Sequence, residues 1–350
     1  MKIAITRLSG NITDKNKELV GNKELFGIAQ LLKQKFDIVD ILSCKECGDC
    51  IYINEEFDIN YYDKLLILND SVNMFGGLEI KTMTTIFKLL HKFNNQIYYI
   101  LTDLSLPFID YYKLIKNKPW NNYNEDDFKL QNEIIILSQS WNIDLVKRLH
   151  KNISVKNIVY VPFEQWKVFT ESSVTNDNRY IDLIYGGSFR TGRREEKFKD
   201  YFFDKEDINI TIYGNMKLSQ FKNITSITPK FLGKIPNNKV IDMNSNSLAT
   251  ILMGDKNYNN NIITLRYVEA LLSNTICFID LDFDTNQTII DCEYLYVKNG
   301  KELINKIKEL KINKELYNKL LIIQNNKLQQ IINNNLPQLL YDILGGNNEN

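Results

Sequence analysis

The sequence predicts an α/β protein made of two doubly wound domains. Short apolar stretches typical of buried strands alternate with amphipathic helical stretches along both halves of the 350 residues. A polar segment, ESSVTNDNR at residues 171–179, separates the two halves and is the predicted linker. Early in the second half, an apolar stretch runs into a glycine pair and then a helical stretch, which is a pattern that can bind anions.

Composition limits the classes of function. Hydrophobic residues make up 44% and charged residues 25%, as in soluble globular proteins. The 43 basic and 43 acidic residues cancel, so any nucleic-acid surface has to be local. No apolar run is long enough to span a bilayer, and the first residues lack a secretory signal, so we expect no membrane partner. Five cysteines, an odd number, favour a reducing cytoplasm.

The first half contains six predicted strands and three predicted helices. The strands are Lys2–Thr6, Ile38–Leu42, Lys64–Leu68, Ile97–Leu101, Glu133–Leu137 and Ile158–Val161. The helices are Glu24–Lys35, Thr82–Phe93 and Ile143–His150. This alternation predicts βαβ units on a parallel sheet.

The second half repeats the pattern. Its predicted strands are Ile181–Tyr185, Ile208–Tyr213, Leu248–Met253 and Thr275–Asp280, and its helices begin near Arg193, Thr264, Glu302 and Asn313. The tail from Leu316 to Leu344 is predicted to be helical and to return to the first domain. We place the domains at residues 1–170 and 171–327, with a final helix in 328–350. A cleft is expected where the carboxyl ends of the two sets of strands face each other.

The glycine pair Gly186-Gly187 lies within DLIYGGSFRTGRREEK, residues 182–197. Glycine lets the backbone approach a ligand closely, and a helix N-terminus favours an anion. Arg190 and Arg194 are four residues apart, so on a helix they share a face and can bind phosphate oxygens. The alternative is an ordinary strand, turn and helix with solvated arginines. These residues alone leave the two interpretations even.

Other candidate residues also follow predicted strands. Asp103 comes directly after a strand and is either a general base or the cap of the next turn. Arg266 and Glu269 are one helical turn apart, and they either bind phosphate and ribose or form a weak intrahelical ion pair. Residues 254–258 form a polar loop after a predicted strand, and residues 233–236 form another loop, whose backbone could contact the edge of a base.

Three cysteines, Cys44, Cys47 and Cys50, form a CxxCxxC motif. Thiolates at this spacing can hold zinc or an iron–sulfur cluster. A fourth ligand is not evident nearby, so the sequence favours a polar loop with reduced thiols and no metal site.

Five stretches of the sequence resemble one known family. They are VNMFGG (72–77), TDLSLPF (102–108), YGGSFRTGRRE (185–195), FLGKIP (231–236) and GDKNYNNNIITLRYVE (254–269). All are similar to the DNA β-glucosyltransferases of T-even-like bacteriophages, and the resemblance runs from Met1 to about Leu339. It implies the GT-B architecture, in which two Rossmann-like domains face each other across a cleft and a C-terminal helix returns to the first domain.

The resemblance also implies an activity. Members move glucose from UDP-glucose to 5-hydroxymethylcytosine in duplex DNA, with inversion at the anomeric carbon and with the target base flipped out. The chain is therefore expected to be a monomeric viral enzyme in the cytoplasm of the infected host, with UDP-glucose as donor and Mg²⁺ or Mn²⁺ left open as a cofactor. The alternatives are DNA carrying 5-hydroxymethyluracil, a small-molecule or protein acceptor, or a binding protein that has lost catalysis.

Residue roles are carried over by position in the same way. Asp103 matches the general base, and Glu24 matches the acidic residue beside the sugar. Ser105 departs from the family pattern, which has an arginine there. The residues matched to UDP are Gly187, Ser188, Arg190, Arg194, Ile235, Tyr258, Arg266 and Glu269. The residues matched to DNA are Asn73, Met74, Phe75 and Gly76.

Overall fold

The structure is a computed structural model in which two compact units can be described. The units are Met1–Gln165 together with Asn333–Asn350, and Trp166–Ile332. The described residues are 1–10, 12, 23–48, 50–68, 77–101, 134–138, 154–157, 179–188, 195–205, 207–215, 229–236, 239–253, 265–331 and 336–345. The sequence places the domain boundaries after residues 170 and 327, and these boundaries remain predictions.

The first unit contains a seven-stranded sheet in the order β3-β2-β1-β4-β5-β6-β7. All six pairings are parallel. The strands are β1 (Lys2–Arg7), β2 (Ile38–Ser43), β3 (Ile51–Tyr52), β4 (Lys64–Leu68), β5 (Gln96–Leu101), β6 (Ile134–Ser138) and β7 (Ser154–Asn157). The order reverses between β1 and β4, so this sheet has a topological switch point between those strands.

The second unit has a six-stranded parallel sheet in the order β10-β9-β8-β11-β12-β13. Its strands are β8 (Ile181–Ser188), β9 (Ile210–Asn215), β10 (Lys230–Phe231), β11 (Ser247–Leu252), β12 (Ile276–Asp280) and β13 (Tyr296–Val297). This is the strand order of a doubly wound nucleotide-binding sheet, with the switch point between β8 and β11.

Eight helices are described in the two units. They are α1 (Lys23–Lys33), α2 (Gly77–Lys92), α3 (Glu195–Phe202), α4 (Val240–Ser245), α5 (Leu265–Leu272), α6 (Gly300–Ile312), α7 (Lys314–Ile331) and α8 (Leu336–Ile343). Two short 3₁₀ turns lie at Ile59–Tyr61 and Glu293–Leu295. Within the described residues, no helix is long and apolar enough to cross a bilayer.

The C-terminal helix α8 packs within the first unit. The ring of Tyr341 stacks on Phe36, with centroids 5.1 Å apart, just beyond the end of α1. The Tyr98 hydroxyl donates a hydrogen bond of 3.2 Å to the Ile343 carbonyl. Burial of the Tyr98 ring and this bond fix the C-terminal end of α8 against β5.

The α/β fold class predicted from the sequence is confirmed. Three short strands were missed, β3, β10 and β13, because two residues are too few to show a periodicity. The helix expected near Arg193 begins at Glu195 in the described residues, and the helical tail contains two helices, α7 and α8. The strand predicted at Ile158–Val161 and the helix predicted at Ile143–His150 lie outside the described residues, and β7, at Ser154–Asn157, was not predicted.

Candidate functional site

The carboxyl ends of β8 and β9 meet at a pair of glycines. The register places Gly186 beside Tyr213 and Gly187 beside Gly214. Because both strands belong to the inner part of a parallel sheet next to its switch point, their ends lie where doubly wound proteins bind nucleotides. The glycine turn singled out in the sequence therefore lies at the expected edge of the sheet.

Close packing explains why glycine is needed at these positions. A Cβ atom on Gly186 would lie 2.1 Å from the ring of Tyr213, and one on Gly214 would lie 1.8 Å from the carbonyl oxygen of Gly187. Gly214 also has a φ of 123°, which L side chains rarely adopt. The backbone at this edge is thus bare of side chains and fixed in position by the packing of Tyr213 and Gly187 against it.

Arg266, in the first turn of α5, reaches over this bare backbone. A Cβ atom on Gly187 would lie only 2.6 Å from Nη2 of Arg266. The guanidinium also donates from Nη1 to the Tyr185 hydroxyl, at 3.1 Å, and its central carbon lies 4.6 Å from the centre of the Tyr185 ring. Tyr185 is only 1% exposed. The arginine is therefore held by a buried side chain, with its charge at the carboxyl edge of β8.

Glu269 lies one turn further along α5, on the same side as Arg266. Its carboxylate lies close enough to Tyr213, at the end of β9, to affect the pKa of the tyrosine hydroxyl. Burial raises the pKa of the Tyr213 hydroxyl well above its usual range, the carboxylate of Glu269 raises it further, and Arg266 opposes the shift. Tyr213 stays protonated and donates to Oδ1 of Asn244, at 3.1 Å. A cation and an anion thus lie together beside the ends of β8 and β9.

The loop after β10 completes the arrangement. The amide of Gly214 donates to the carbonyl of Gly233, at 2.7 Å, so this loop lies against the end of β9. Ile235 packs on the buried cluster of Ile181, Ile184, Tyr213 and Val240. Gly233 has a φ of 71° and open space around it. The backbone of residues 233–235 is therefore presented at the same edge as Gly187 and Arg266.

A buried ion pair anchors α3, the helix that follows the predicted diphosphate loop. Nζ of Lys197 lies 2.5 Å from Oδ2 of Asp280, at the end of β12, and 2.8 Å from Oδ2 of Asp282. Asp280 is 1% exposed, and burial raises the pKa of its carboxyl while Lys197 opposes that shift. The charge of Asp280 also raises the pKa of the Tyr201 hydroxyl, which burial raises first. The start of α3 is thereby tied to the carboxyl end of β12.

The structure brings together four of the predicted UDP ligands: Gly187, Ile235, Arg266 and Glu269. Ser188 ends β8 and Glu24 lies in α1, but their side chains are outside the described part. Eight predicted residues lie outside the described residues altogether: Asn73, Met74, Phe75, Gly76, Asp103, Arg190, Arg194 and Tyr258.

Sequence reasoning missed three residues of the site, namely Tyr185, Tyr213 and Gly214. Each tyrosine directly precedes a glycine at the end of an apolar strand, in the pairs Tyr185-Gly186 and Tyr213-Gly214. This repeated Tyr-Gly ending was the available signal. Their roles could not be inferred from it, because the contacts depend on how β8 and β9 align.

No group of three side chains suited to a metal ion occurs among the described residues. Cys44, Cys47 and Cys50 do not converge, since Cys44 contacts the carbonyl of Thr82 at 3.7 Å while the other two contact each other. We therefore assign no residue to the Mg²⁺ or Mn²⁺ that the sequence left open.

Two parallel sheets of doubly wound type, one with Arg266 over the glycine edge at its switch point, are the two Rossmann-like domains of the GT-B architecture. A family model described as Bacteriophage T4 beta-glucosyltransferase matches residues 1–167. The DNA beta-glucosyltransferase of Enterobacteria phage T4 is 38% identical over 339 residues, which cover 94% of this chain and 95% of the phage protein. The chain belongs to this beta-glucosyltransferase family.

Solved structures agree with this assignment. The T4 phage enzyme in complex with UDP and Mn²⁺ is 33% identical, with a TM-score of 0.81 over 99% of this chain and 100% of that one. Its complex with UDP-glucose gives 32% identity and a TM-score of 0.80 over the same shares. An alpha-glucosyltransferase bound to UDP has a TM-score of 0.62 over 98% of this chain and 99% of its own, and at 13% identity it shares the fold.

Proposed function

We propose that the protein transfers glucose from UDP-glucose to the hydroxymethyl group of a modified pyrimidine in duplex DNA. The observation that carries the donor half is the placement of Arg266 over the glycine edge at Gly187, with Glu269 one helical turn further along α5 and beside Tyr213. The acceptor half rests on membership of the family, whose T4 phage relative is a DNA beta-glucosyltransferase. The modified base is 5-hydroxymethylcytosine, and the transfer inverts the anomeric carbon.

The donor is held by groups of opposite character. Arg266 binds phosphate oxygens, because a guanidinium can donate two parallel hydrogen bonds. Glu269 accepts hydrogen bonds from the ribose hydroxyls, and the backbone of Ile235 meets the edge of the uracil. Gly187 and Ser188 allow the diphosphate to approach the end of β8. Tyr258 completes the nucleotide contacts.

Arg190 and Arg194 act on the leaving group. Negative charge grows on the UDP diphosphate as the glycosidic bond breaks, so cations already in place stabilise the transition state more than the ground state. The helix α3 begins at the residue after Arg194, and the Lys197–Asp280 pair holds the start of this helix in place. A Mg²⁺ or Mn²⁺ ion bound with UDP would add positive charge at the diphosphate.

Asp103 removes the proton from the acceptor hydroxyl while that oxygen attacks the anomeric carbon from the face opposite to UDP. Glu24 lies beside the sugar. The target base leaves the stack to reach the donor, as it does in other enzymes that modify a base. The backbone of residues 73–76, with Met74 or Phe75 as a wedge, contacts the DNA at the vacated position. We place the reaction, carried out by a monomer, in the cytoplasm of the infected host cell.

The acceptor is tested by incubating the full chain with labelled UDP-glucose and three matched duplexes, which carry cytosine, 5-hydroxymethylcytosine or 5-hydroxymethyluracil. We expect label only in the 5-hydroxymethylcytosine duplex, recovered as one glucosylated nucleoside after digestion. Label only in the hydroxymethyluracil duplex would correct the base. If none of the duplexes is labelled while UDP-glucose is bound, DNA is not the acceptor, and a small molecule or protein takes its place.

A further inference from the structure

The three cysteines between β2 and β3 divide into one partly buried thiol, Cys44, and one pair, Cys47 and Cys50. Residues 44–50 are called the cysteine loop here, and all but Asp49 are described. Cys44 lies beneath Gly10, whose Cβ atom, if present, would be 2.8 Å from the Cys44 sulfur. Burial raises the pKa of the Cys44 thiol to about 12, so this sulfur stays protonated and unreactive.

Cys47 and Cys50 are arranged differently. The amide of Cys50 donates to the carbonyl of Cys47, at 3.0 Å, and this turn brings the two Sγ atoms to 3.1 Å. That separation is shorter than an ordinary van der Waals contact between sulfurs, and a disulfide of about 2.05 Å needs a closure of only about 1 Å. Both thiols are partly exposed, so a reagent can reach them.

We propose that Cys47 and Cys50 form a reversible disulfide by exchange with a low-molecular-weight disulfide of the glutathione class. The thiolate of one cysteine attacks a sulfur of the reagent and displaces one small thiol, which leaves a mixed disulfide. The second thiolate then attacks the protein sulfur of that mixed disulfide and displaces the second small thiol. Two protein thiols are oxidised, one reagent disulfide is reduced to two thiols, and the thiol protons balance the thiolates released.

The sequence and the fold both favour exchange over metal binding. A CxxC pair in a chain with βαβ organisation is typical of redox-active dithiols. Zinc needs four ligands, whereas the third cysteine of the motif is directed towards the carbonyl of Thr82. The pair also lies in a loop that is bonded to its surroundings, because the amide of Cys44 donates to the carbonyl of Gly10, at 2.7 Å. Closing the disulfide therefore needs a small local movement and leaves β2 in place.

Trypsin can separate the pair from Cys44, since cleavage after Lys45 puts Cys44 in peptide 36–45 and the pair in peptide 46–64. The reduced full chain is equilibrated anaerobically with mixtures of reduced and oxidised glutathione, trapped with an alkylating reagent under denaturing conditions, and digested. We expect peptide 46–64 to lose both alkyl groups together as the mixture becomes more oxidising and to regain them on reduction. Peptide 36–45 should stay alkylated throughout.

Three variants serve as controls in the same assay. Cys47→Ser and Cys50→Ser should each stop at a mixed disulfide with glutathione, whereas Cys44→Ser should behave like the wild type. The wild-type result stands even if a variant fails to fold. Two alkyl groups on peptide 46–64 at the most oxidising mixture, mixed disulfides alone in the wild type, or a disulfide that includes Cys44 would overturn the proposal. So would stoichiometric zinc in the purified protein that is lost in Cys47→Ser.

Discussion

The guanidinium of Arg266 occupies the space that a side chain at position 187 would need, since a Cβ atom on Gly187 would be 2.6 Å from Nη2. This contact links the glycine of a strand end to the arginine of a helix far away in the sequence. It also makes the position of the positive charge depend on the absence of a side chain. A side chain at position 187 would therefore displace the guanidinium of Arg266.

Gly187→Ala is expected to weaken UDP binding without unfolding the protein. The added methyl group meets the end of a flexible arginine, which moves away and loses its contact with phosphate. Loss of a hydrogen bond to a charged group costs about 1.5–3 kcal/mol, or roughly a tenfold to a hundredfold loss of affinity. Calorimetric titration with UDP measures it. Arg266→Ala should give a similar loss, and the double variant should add little to it. Additive losses would show that the two residues act separately.

Glu269→Ala is expected to weaken binding of UDP more than binding of 2′-deoxy-UDP. The carboxylate is proposed to bind the ribose hydroxyls. Since 2′-deoxy-UDP lacks one of these hydroxyls, it has less binding energy to lose when Glu269 is removed. The expected cost for UDP is about 1–3 kcal/mol. Glu315→Ala, an exposed glutamate at the start of α7, is the matched control and should leave affinity unchanged. Equal losses for the two nucleotides would separate Glu269 from the ribose.

Asp103→Asn is expected to slow glucose transfer while leaving UDP affinity intact. Loss of a general base typically lowers the rate by about 10²–10⁴-fold. Single-turnover transfer to the 5-hydroxymethylcytosine duplex measures the rate, and titration with UDP measures the affinity. A wild-type rate would place the base elsewhere, and a large loss of affinity would make Asp103 a donor ligand.

Lys197→Met is expected to destabilise the protein strongly, because it leaves Asp280 buried and charged without its partner. Removing one partner of a buried pair costs about 3–5 kcal/mol. Asp280→Asn should cost less, since Lys197 keeps Asp282. The matched control is Lys199→Met, which removes a partly exposed pair within α3, with Glu195, and should cost less because no charge is left buried. Urea unfolding measures the differences.

The pH dependence of the Lys197→Met variant follows from the same carboxyl. Burial raises the pKa of Asp280 in the folded state above its usual value, so the folded protein binds a proton more readily than the unfolded chain. Stability linked to this group therefore falls as pH rises from the usual carboxyl range through the folded pKa, and it recovers as pH falls. The deficit of Lys197→Met should shrink in mildly acidic buffer. A deficit that is independent of pH would show that it reflects lost packing.

The sequence predicted most of the second sheet because its strands are long and apolar, as at Ile181–Ser188 and Ser247–Leu252. It also predicted Arg266 and Glu269 as a pair, since their spacing on a helix is a local property. The apposition of Gly187 and Gly214 could not be predicted, because it depends on the register between two strands. The burial of Asp280 beneath Lys197 was also missed, because the two residues meet only when α3 packs beside β12.

The most direct test of the account is the configuration of the product. Wild-type protein, UDP-glucose and a duplex with one 5-hydroxymethylcytosine are taken to completion, and the digested nucleoside is analysed by proton NMR at the anomeric position. The expected products are a single β-linked glucosyl nucleoside and an equal amount of UDP, both formed more slowly by Arg266→Ala when UDP-glucose is limiting. An α-linked product, or UDP released with free glucose and an unmodified duplex, would contradict it.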